Sequence, residues 1–167
     1  MNEKQFSAFD IKWVKNVNDD VTNSAYLSQD LRLNQFPFFY LELNSRYISS
    51  LNKVSIGDLI LLYQKLDNQR IKCFTHLITP FDNNVIQHPY PSTIQGWCGR
   101  KVKVIAMTGN QAINSIPVSQ TIWSTMGFTD SLHNLTYQGS YIKEIPCNYK
   151  LPNLQNDIWN KFQSHIV

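Results

Sequence analysis

The sequence predicts an α+β fold in which a small mixed β-barrel is flanked by helices. Roughly five or six short segments have the apolar character of strands, and tight turns join several of them, which favours antiparallel pairing. Other segments have the spacing of short amphipathic helices. The chain of 167 residues is long enough for one ordinary hydrophobic core, so we expect a single domain over 1–167.

The segments predicted as strands either alternate apolar and polar residues or are apolar throughout. They are 8–15, 36–44, 58–65, 72–79, 100–107 and 140–145. In the first of them, Phe9, Ile11 and Trp13 share one face. A hairpin turn is predicted at 67–68, and Pro80 is expected to end the fourth strand because proline cannot donate to a β-ladder.

The segments predicted as helices have helical spacing or residues that favour helix termini. They are 22–31, 45–53, 119–126 and 154–167. Asp19 or Asp20 would cap the first helix, and Gly127 would end the third because glycine tolerates the left-handed backbone found there. The segment 82–97 contains prolines and no clear period, so it is predicted to be a long loop.

The composition is that of a globular chain, with 43% hydrophobic and 16% charged residues. No apolar run approaches the roughly 18 residues that span a membrane, and the first ten residues lack the apolar segment of a signal peptide. Cys73, Cys98 and Cys147 are odd in number and widely spaced, which favours reduced thiols over disulfides. We therefore expect a cytoplasmic protein.

Motifs for catalysis, metal binding or cofactor binding do not occur in the sequence. The nucleophile elbow, the phosphate-binding loop, the dinucleotide-binding glycine pattern, the zinc-protease helix and the paired-cysteine motif are all absent. The four histidines are dispersed, and the glutamates form no pair with acid–base spacing. We therefore expect neither a cofactor nor a metal, and a function other than catalysis.

Positive charge is densest in the stretch 99–104. The formal net charge of +3 suits a nucleic-acid partner, although many proteins with such a charge bind none. Lys101 and Lys103 alternate with valines and therefore share one face of a strand. Together with Arg100, these lysines are either a solvated strand face or a set of phosphate contacts.

Two of the four tryptophans, Trp13 and Trp97, lie at strand ends beside polar loops. Tryptophan is costly to expose and offers a flat stacking surface, so each is either a core residue or a wall of a ligand site. Trp123 and Trp159 have apolar neighbours on predicted helices, and we expect them to pack in the core.

The order of these segments resembles the PUA-like superfamily, and within it the EVE branch, with YTH and ASCH domains as relatives. Three stretches carry the resemblance: KVSIGDLILLYQ at 53–64, CFTHLIT at 73–79 and WCGRKVKV at 97–104. In EVE domains a glycine–aspartate turn opens a barrel strand, and a tryptophan precedes a later strand rich in valine. The similarity covers roughly residues 8–107.

The resemblance implies a barrel with a pocket for a modified nucleobase, flipped from DNA or unstacked from RNA. Aromatic side chains would hold the face of the base, while amides and backbone groups would read its edge. The implied pocket residues are Trp13, Asn16, Tyr63, Gln64, His76 and Trp97. Arg100, Lys101 and Lys103 would contact the backbone phosphates. Because side chains alternate along a strand, only one of Tyr63 and Gln64 would face the pocket.

The function predicted from this resemblance is a non-catalytic nucleic-acid-binding module. It would serve as the specificity part of a bacterial restriction or defence system, with a nuclease or another effector protein as partner. Two alternatives stay open. ASCH-like relatives hydrolyse small amides with a lysine and a carboxylate, roles that Lys12 and Glu42 would fill. The other alternative is a protein-interaction subunit without a ligand.

Overall fold

A computed structural model describes residues 4–17, 26–27, 30–66, 72–87, 96–109, 115–129, 132 and 142–167. Its strands are β1 (Ile11–Asn16), β2 (Phe38–Asn44), β3 (Leu59–Lys65), β4 (Lys72–Gln87), β5 (Trp97–Met107), β6 (Ile116–Pro117) and β7 (Ile142–Glu144). Its α-helices are α1 (Ile48–Asn52), α2 (Gln120–Thr125) and α3 (Leu151–Phe162). The predicted α+β class is confirmed. Across these residues no helix is long and apolar enough to cross a membrane.

All the described strands belong to one sheet. Its order is β2-β5-β4-β3-β1-β7, and the short β6 pairs with β4. β1 runs parallel to β3, whereas the other pairs of described strands are antiparallel. The predicted strands 58–65, 72–79 and 100–107 are present as β3, β4 and β5, which lie side by side.

Two hydrophobic clusters form on opposite faces of the sheet, because successive side chains of a strand alternate. The helix-covered cluster, against α2 and α3, includes Val14, Leu61, Tyr63, Phe74, Trp123, Phe128 and Phe162. The inner cluster includes Trp13, Tyr26, Phe39, Leu41, Leu62, Val102, Val104 and Ile142. Since β2 supplies Leu41 and β7 supplies Ile142, both edge strands contribute to the inner cluster, and the sheet curves around it.

The curved sheet is not closed in the part of the chain that the structure describes. β2 and β7 are its two edges, and no ladder joins them among the described strands. The predicted barrel is therefore observed only as a curved, open sheet.

β4 continues through Pro80, where the sequence predicted its end, as far as residue 87. The register against β5 shifts between Pro80 and Val85, so that residues 81–84 lie opposite the single residue Lys101. This segment is termed the β4 bulge. A bulge accommodates proline in a strand because it removes the need for one ladder donor. The part of the predicted loop at 82–97 that precedes residue 88 is therefore strand.

The predicted helices at 45–53, 119–126 and 154–167 are confirmed with different bounds as α1, α2 and α3. Ser119 caps α2 by accepting the backbone N–H of Ile122 at 3.2 Å. Gly127, just beyond α2, has the positive φ of 82° expected at a helix C-terminus.

Several predictions fall on residues outside those described. They are the caps Asp19 and Asp20, the turn at 67–68, residues 88–95 of the loop, and most of the helix 22–31. At the end of that last segment, Leu31–Leu33 forms a 3₁₀ helix.

Candidate functional site

Trp13 lies in the inner cluster with 5% of its surface exposed. Its indole N–H donates a hydrogen bond of 3.0 Å to the carboxylate of Asp58, which also accepts from Lys12 at 2.7 Å. Burial raises the pKa of Asp58, but the hydrogen bonds from Lys12 and Trp13 outweigh it and hold that pKa below its usual value. Trp13 therefore has the surroundings of a core residue, and its ring is not exposed for stacking.

Tyr63 and Gln64 lie near the end of β3, on opposite faces of the sheet. Tyr63 belongs to the helix-covered cluster, where its ring meets Trp123 edge-on with 5.3 Å between centroids. Asn16, its neighbour on β1, is also buried. By strand alternation it is Gln64 that faces the side of the inner cluster.

Gln64 and His76 belong to one buried relay of hydrogen bonds. The Gln64 amide donates to the Thr75 hydroxyl at 2.9 Å, and that hydroxyl lies 2.8 Å from His76 Nδ1. His76 Nε2 lies 2.9 Å from the carbonyl oxygen of Tyr26, which can only accept, so Nε2 carries the proton. Burial lowers the pKa of His76 to about 4, in agreement with a neutral ring. The polar atoms expected to read a base are thus used to hold Tyr26.

Trp97 is half-buried at the start of β5, where it pairs with Asn44 at the end of β2. The preceding Gly96 has a φ of 83°, and its carbonyl accepts the N–H of Ser45 at 2.8 Å. Among the described residues no ring contact joins Trp97 to Trp13. The two tryptophans of the predicted aromatic cage are therefore not brought together.

Arg100 is buried, with 2% of its surface exposed. Its guanidinium donates to the carbonyl oxygens of Leu51 and Val54, at and just beyond the end of α1, over 3.1 and 2.7 Å. It also donates to two oxygens of the β4 bulge, the carbonyl of Asp82 at 2.6 Å and the side chain of Asn83 at 2.9 Å. This contradicts the expected phosphate contact, because Arg100 fastens the bulge to the segment after α1.

Lys101 and Lys103 lie on the opposite, solvent side of β5, next to aromatic residues. Their cross-strand partners on β2 are Tyr40 and Phe38, and directly opposed residues share a face. The Lys101 ammonium lies 5.4 Å from the ring centroid of Phe38 and 5.1 Å from that of Phe81. These two rings meet edge-on at 4.9 Å. Phe38, Tyr40, Phe81, Lys101 and Lys103 are termed the aromatic–basic face.

A buried charged group lies elsewhere, with Lys15 on β1 and Glu42 on β2. Lys15 is 2% exposed, and burial lowers its pKa to about 7 against the opposing effect of the Glu42 carboxylate. Arg32 Nη1 lies 3.8 Å from Glu42 Oε2. Lys12, which the sequence offered as the partner of Glu42, instead forms an ion pair with Asp58 at 2.7 Å. The lysine whose pKa responds to the Glu42 carboxylate is Lys15.

No protein-family model matches this chain, and no curated protein sequence is significantly similar to it. The PUA-like resemblance therefore stays a hypothesis. The groups with chemistry suited to a function are the aromatic–basic face and the buried Lys15 and Glu42.

Sequence reasoning missed four residues of these groups, and three of them had a signal. Lys15 shares strand parity with Trp13 in β1, which indicates that it points inward. Phe38 and Tyr40 share parity in the next apolar strand, so they indicate an aromatic face. The position of Phe81 had no local signal, because it depends on the bulge.

Proposed function

We propose that this chain is a non-catalytic module that binds nucleic acid. The observation that carries the proposal is the aromatic–basic face, where the Lys101 ammonium lies close to two aromatic rings on the solvent side of the sheet. Lysine attracts phosphate and releases counterions on binding, while aromatic rings stack on bases. A surface with both residue types suits a polymer of bases and phosphates.

The charge around this face supports a polyanionic partner. The chain carries a formal net charge of +3. Two acidic residues, Glu42 and Asp82, lie within two positions of Tyr40 and Phe81 along the chain. Glu42 is buried near Arg32, and the Asp82 carboxylate accepts the backbone N–H of Asn84 at 2.9 Å. Neither carboxylate forms an ion pair with Lys101 among the described residues.

Recognition of a modified base is the finer part of this proposal. Because Trp13, Gln64 and His76 make internal contacts, we assign the stacking to the rings of the aromatic–basic face. Trp97, which is half-buried at the start of β5, stays a candidate. The barrel-like closure typical of EVE domains is supported by the inner cluster that the edge strands share. A role in a bacterial defence system, with an effector nuclease as partner, belongs to the same proposal.

Fluorescence anisotropy with labelled DNA and RNA oligonucleotides tests this function. We expect binding that weakens steeply as salt rises, because phosphate contacts release counterions. A pair of oligonucleotides that differ by one methylated base tests discrimination. If no oligonucleotide binds at low salt at protein concentrations above about 10⁻⁴ M, which is the weak end of non-specific binding, the proposal is wrong.

Hydrolysis of a small amide is the second candidate function, and Lys15 is the observation that favours it. A buried lysine with a pKa of about 7 near a carboxylate has the properties of a general base at neutral pH. Turnover of N-acylated nucleosides by the wild type, lost in Lys15→Met and kept in Lys12→Met, would support this function. Absence of turnover in the wild type excludes these substrates and leaves the binding proposal in place.

A further inference from the structure

We infer that the aromatic–basic face binds single-stranded nucleic acid, with bases stacked on Phe81 and Phe38 and phosphates beside Lys101 and Lys103. The inference rests on the proposed function and adds the class of nucleic acid and the surface that contacts it.

The aromatic–basic face presents an aromatic ring to solvent. Phe81 is 51% exposed, and Phe38, whose ring it meets edge-on, is half-buried. Phe81 lies in the β4 bulge, outside the regular ladder, and bulges commonly redirect side chains next to functional sites. An exposed ring in contact with a second, half-buried ring forms an apolar patch in water, and such patches are found at sites of interaction. Stacking on bases would remove these rings from water.

The angle between the rings favours a single strand over a duplex. The planes of Phe38 and Phe81 differ by 76°. Neighbouring bases of a duplex are nearly parallel and stacked on each other, so their faces are covered. They cannot stack on two rings whose planes differ by so large an angle. Bases of a single strand turn independently and expose their faces. Aromatic residues on a sheet are able to stack two or three bases in this way.

The lysines are placed to contact phosphates of the same strand. Lys101 and Lys103 are two residues apart on β5, which corresponds to about 6.6–6.8 Å along the strand. Each stands opposite an aromatic residue of β2, Tyr40 or Phe38. A row of charges on β5 therefore lies beside a row of aromatic residues on β2, as the row of phosphates lies beside the row of bases in a single strand.

Buried contacts hold the face in shape before any ligand arrives. Arg100 precedes Lys101 on β5, and its side chain lies on the inner side of the sheet. It donates to Asp82 O and Asn83 Oδ1, which belong to the two residues that follow Phe81. The position of Phe81 is thus fixed by hydrogen bonds on the far side of β5. A surface ordered in advance loses less entropy on binding than a flexible one.

The test uses a labelled oligothymidylate of about 12 nucleotides and a duplex of equal length, with anisotropy measured at several salt concentrations. The variants are Phe81→Ala and the double change Lys101→Ala with Lys103→Ala. Matched controls come from a second lysine–aromatic pair, where Lys150 Nζ lies 5.5 Å from the Tyr149 ring centroid and Tyr149 is 87% exposed. They are Tyr149→Ala and Lys150→Ala. Melting temperatures confirm that each variant is folded. If Phe81→Ala does not fold, Phe81→Leu replaces it in the binding measurements.

We expect Phe81→Ala to weaken single-strand binding by about 5- to 150-fold, which corresponds to the loss of one stacked base. Phe81→Tyr should keep most of the affinity. The double lysine variant should reduce the slope of log K against log salt by about 1.4, since each phosphate contact to a single strand contributes about 0.7. The two controls should bind as the wild type does.

Other outcomes separate this inference from the proposed function. If the wild type binds no nucleic acid, both are overturned. If it binds but the face variants match the controls, the binding surface lies elsewhere and only this inference falls. Two further results would overturn this inference, because each would mean that only non-specific charge attraction acts. One is equal affinity for duplex and single strand, and the other is displacement of the oligonucleotide by polyglutamate at equal charge.

Discussion

Replacing Arg100 with alanine removes a buried guanidinium that joins two segments of the protein. In the native structure it donates to the carbonyl oxygens of Leu51 and Val54 and to two oxygens of the β4 bulge. The sequence suggested a different role for Arg100, a contact with phosphate at the surface. The two roles predict different effects on the free energy of unfolding.

The magnitude follows from the acceptors left behind. The bonds to Leu51 O and Val54 O are buried. The Leu51 carbonyl also accepts the backbone N–H of Val54 at 3.3 Å, so the Val54 carbonyl is the buried acceptor that is left without a donor. Such an acceptor lowers the free energy of unfolding by about 1–3 kcal/mol. For a chain of this size, that loss lowers the melting temperature by roughly 2–12 °C. Arg100→Lys should recover only part of it, because one ammonium cannot reproduce the fork of the guanidinium.

Thermal and urea denaturation of the purified variant measure the effect. Arg46→Ala is the matched control, because Arg46 is an exposed arginine on the short helical turn before α1 and should change stability by less than about 0.5 kcal/mol. The reasoning is refuted if Arg100→Ala melts like the wild type while losing as much oligonucleotide affinity as the Lys101 and Lys103 variant. That result would place the guanidinium at the surface.

Buried His76, Lys15 and Trp13 lead to further predictions. The pKa of His76 is about 4 in the folded chain and about 6.5 when unfolded, so the unfolded state binds more protons between these values. Urea denaturation should therefore show stability falling as pH drops from about 6.5 to about 4, and His76→Gln should show a weaker dependence. For Lys15, with a folded pKa of about 7, stability should rise from about pH 7 to about pH 10.5. The rise should be absent in Lys15→Met, and its persistence would contradict a buried amine. Trp13→Ala should lower the free energy of unfolding by about 3–5 kcal/mol, as measured by thermal melting. An unchanged melting temperature would mean that the ring is exposed.

Strand positions were predictable because they depend on local pattern. The alternation in β5 and the apolar run of β3 are visible in the sequence. The same alternation already separates Arg100, which shares parity with Val102, from Lys101 and Lys103. Grouping the three basic residues by their proximity in sequence obscured that difference. Parity along the strand predicts which of them is buried.

The contacts that define the aromatic–basic face were not predictable from the sequence. Phe38 and Phe81 are distant along the chain, and they meet only because β5 lies between β2 and β4 and because four residues bulge opposite one. The burial of Trp13 likewise depends on its partner Asp58, forty-five residues away. Long-range packing of this kind leaves no local periodicity to read.

The central claim is that nucleic acid binds at the aromatic–basic face. A titration of isotope-labelled protein with oligothymidylate, followed by proton–nitrogen correlation NMR, locates the contact surface directly. We predict that the amide shifts concentrate at residues 36–40, 79–83 and 99–103. Shifts concentrated instead along α2 and at residues 148–150, which line a surface groove, would contradict the claim.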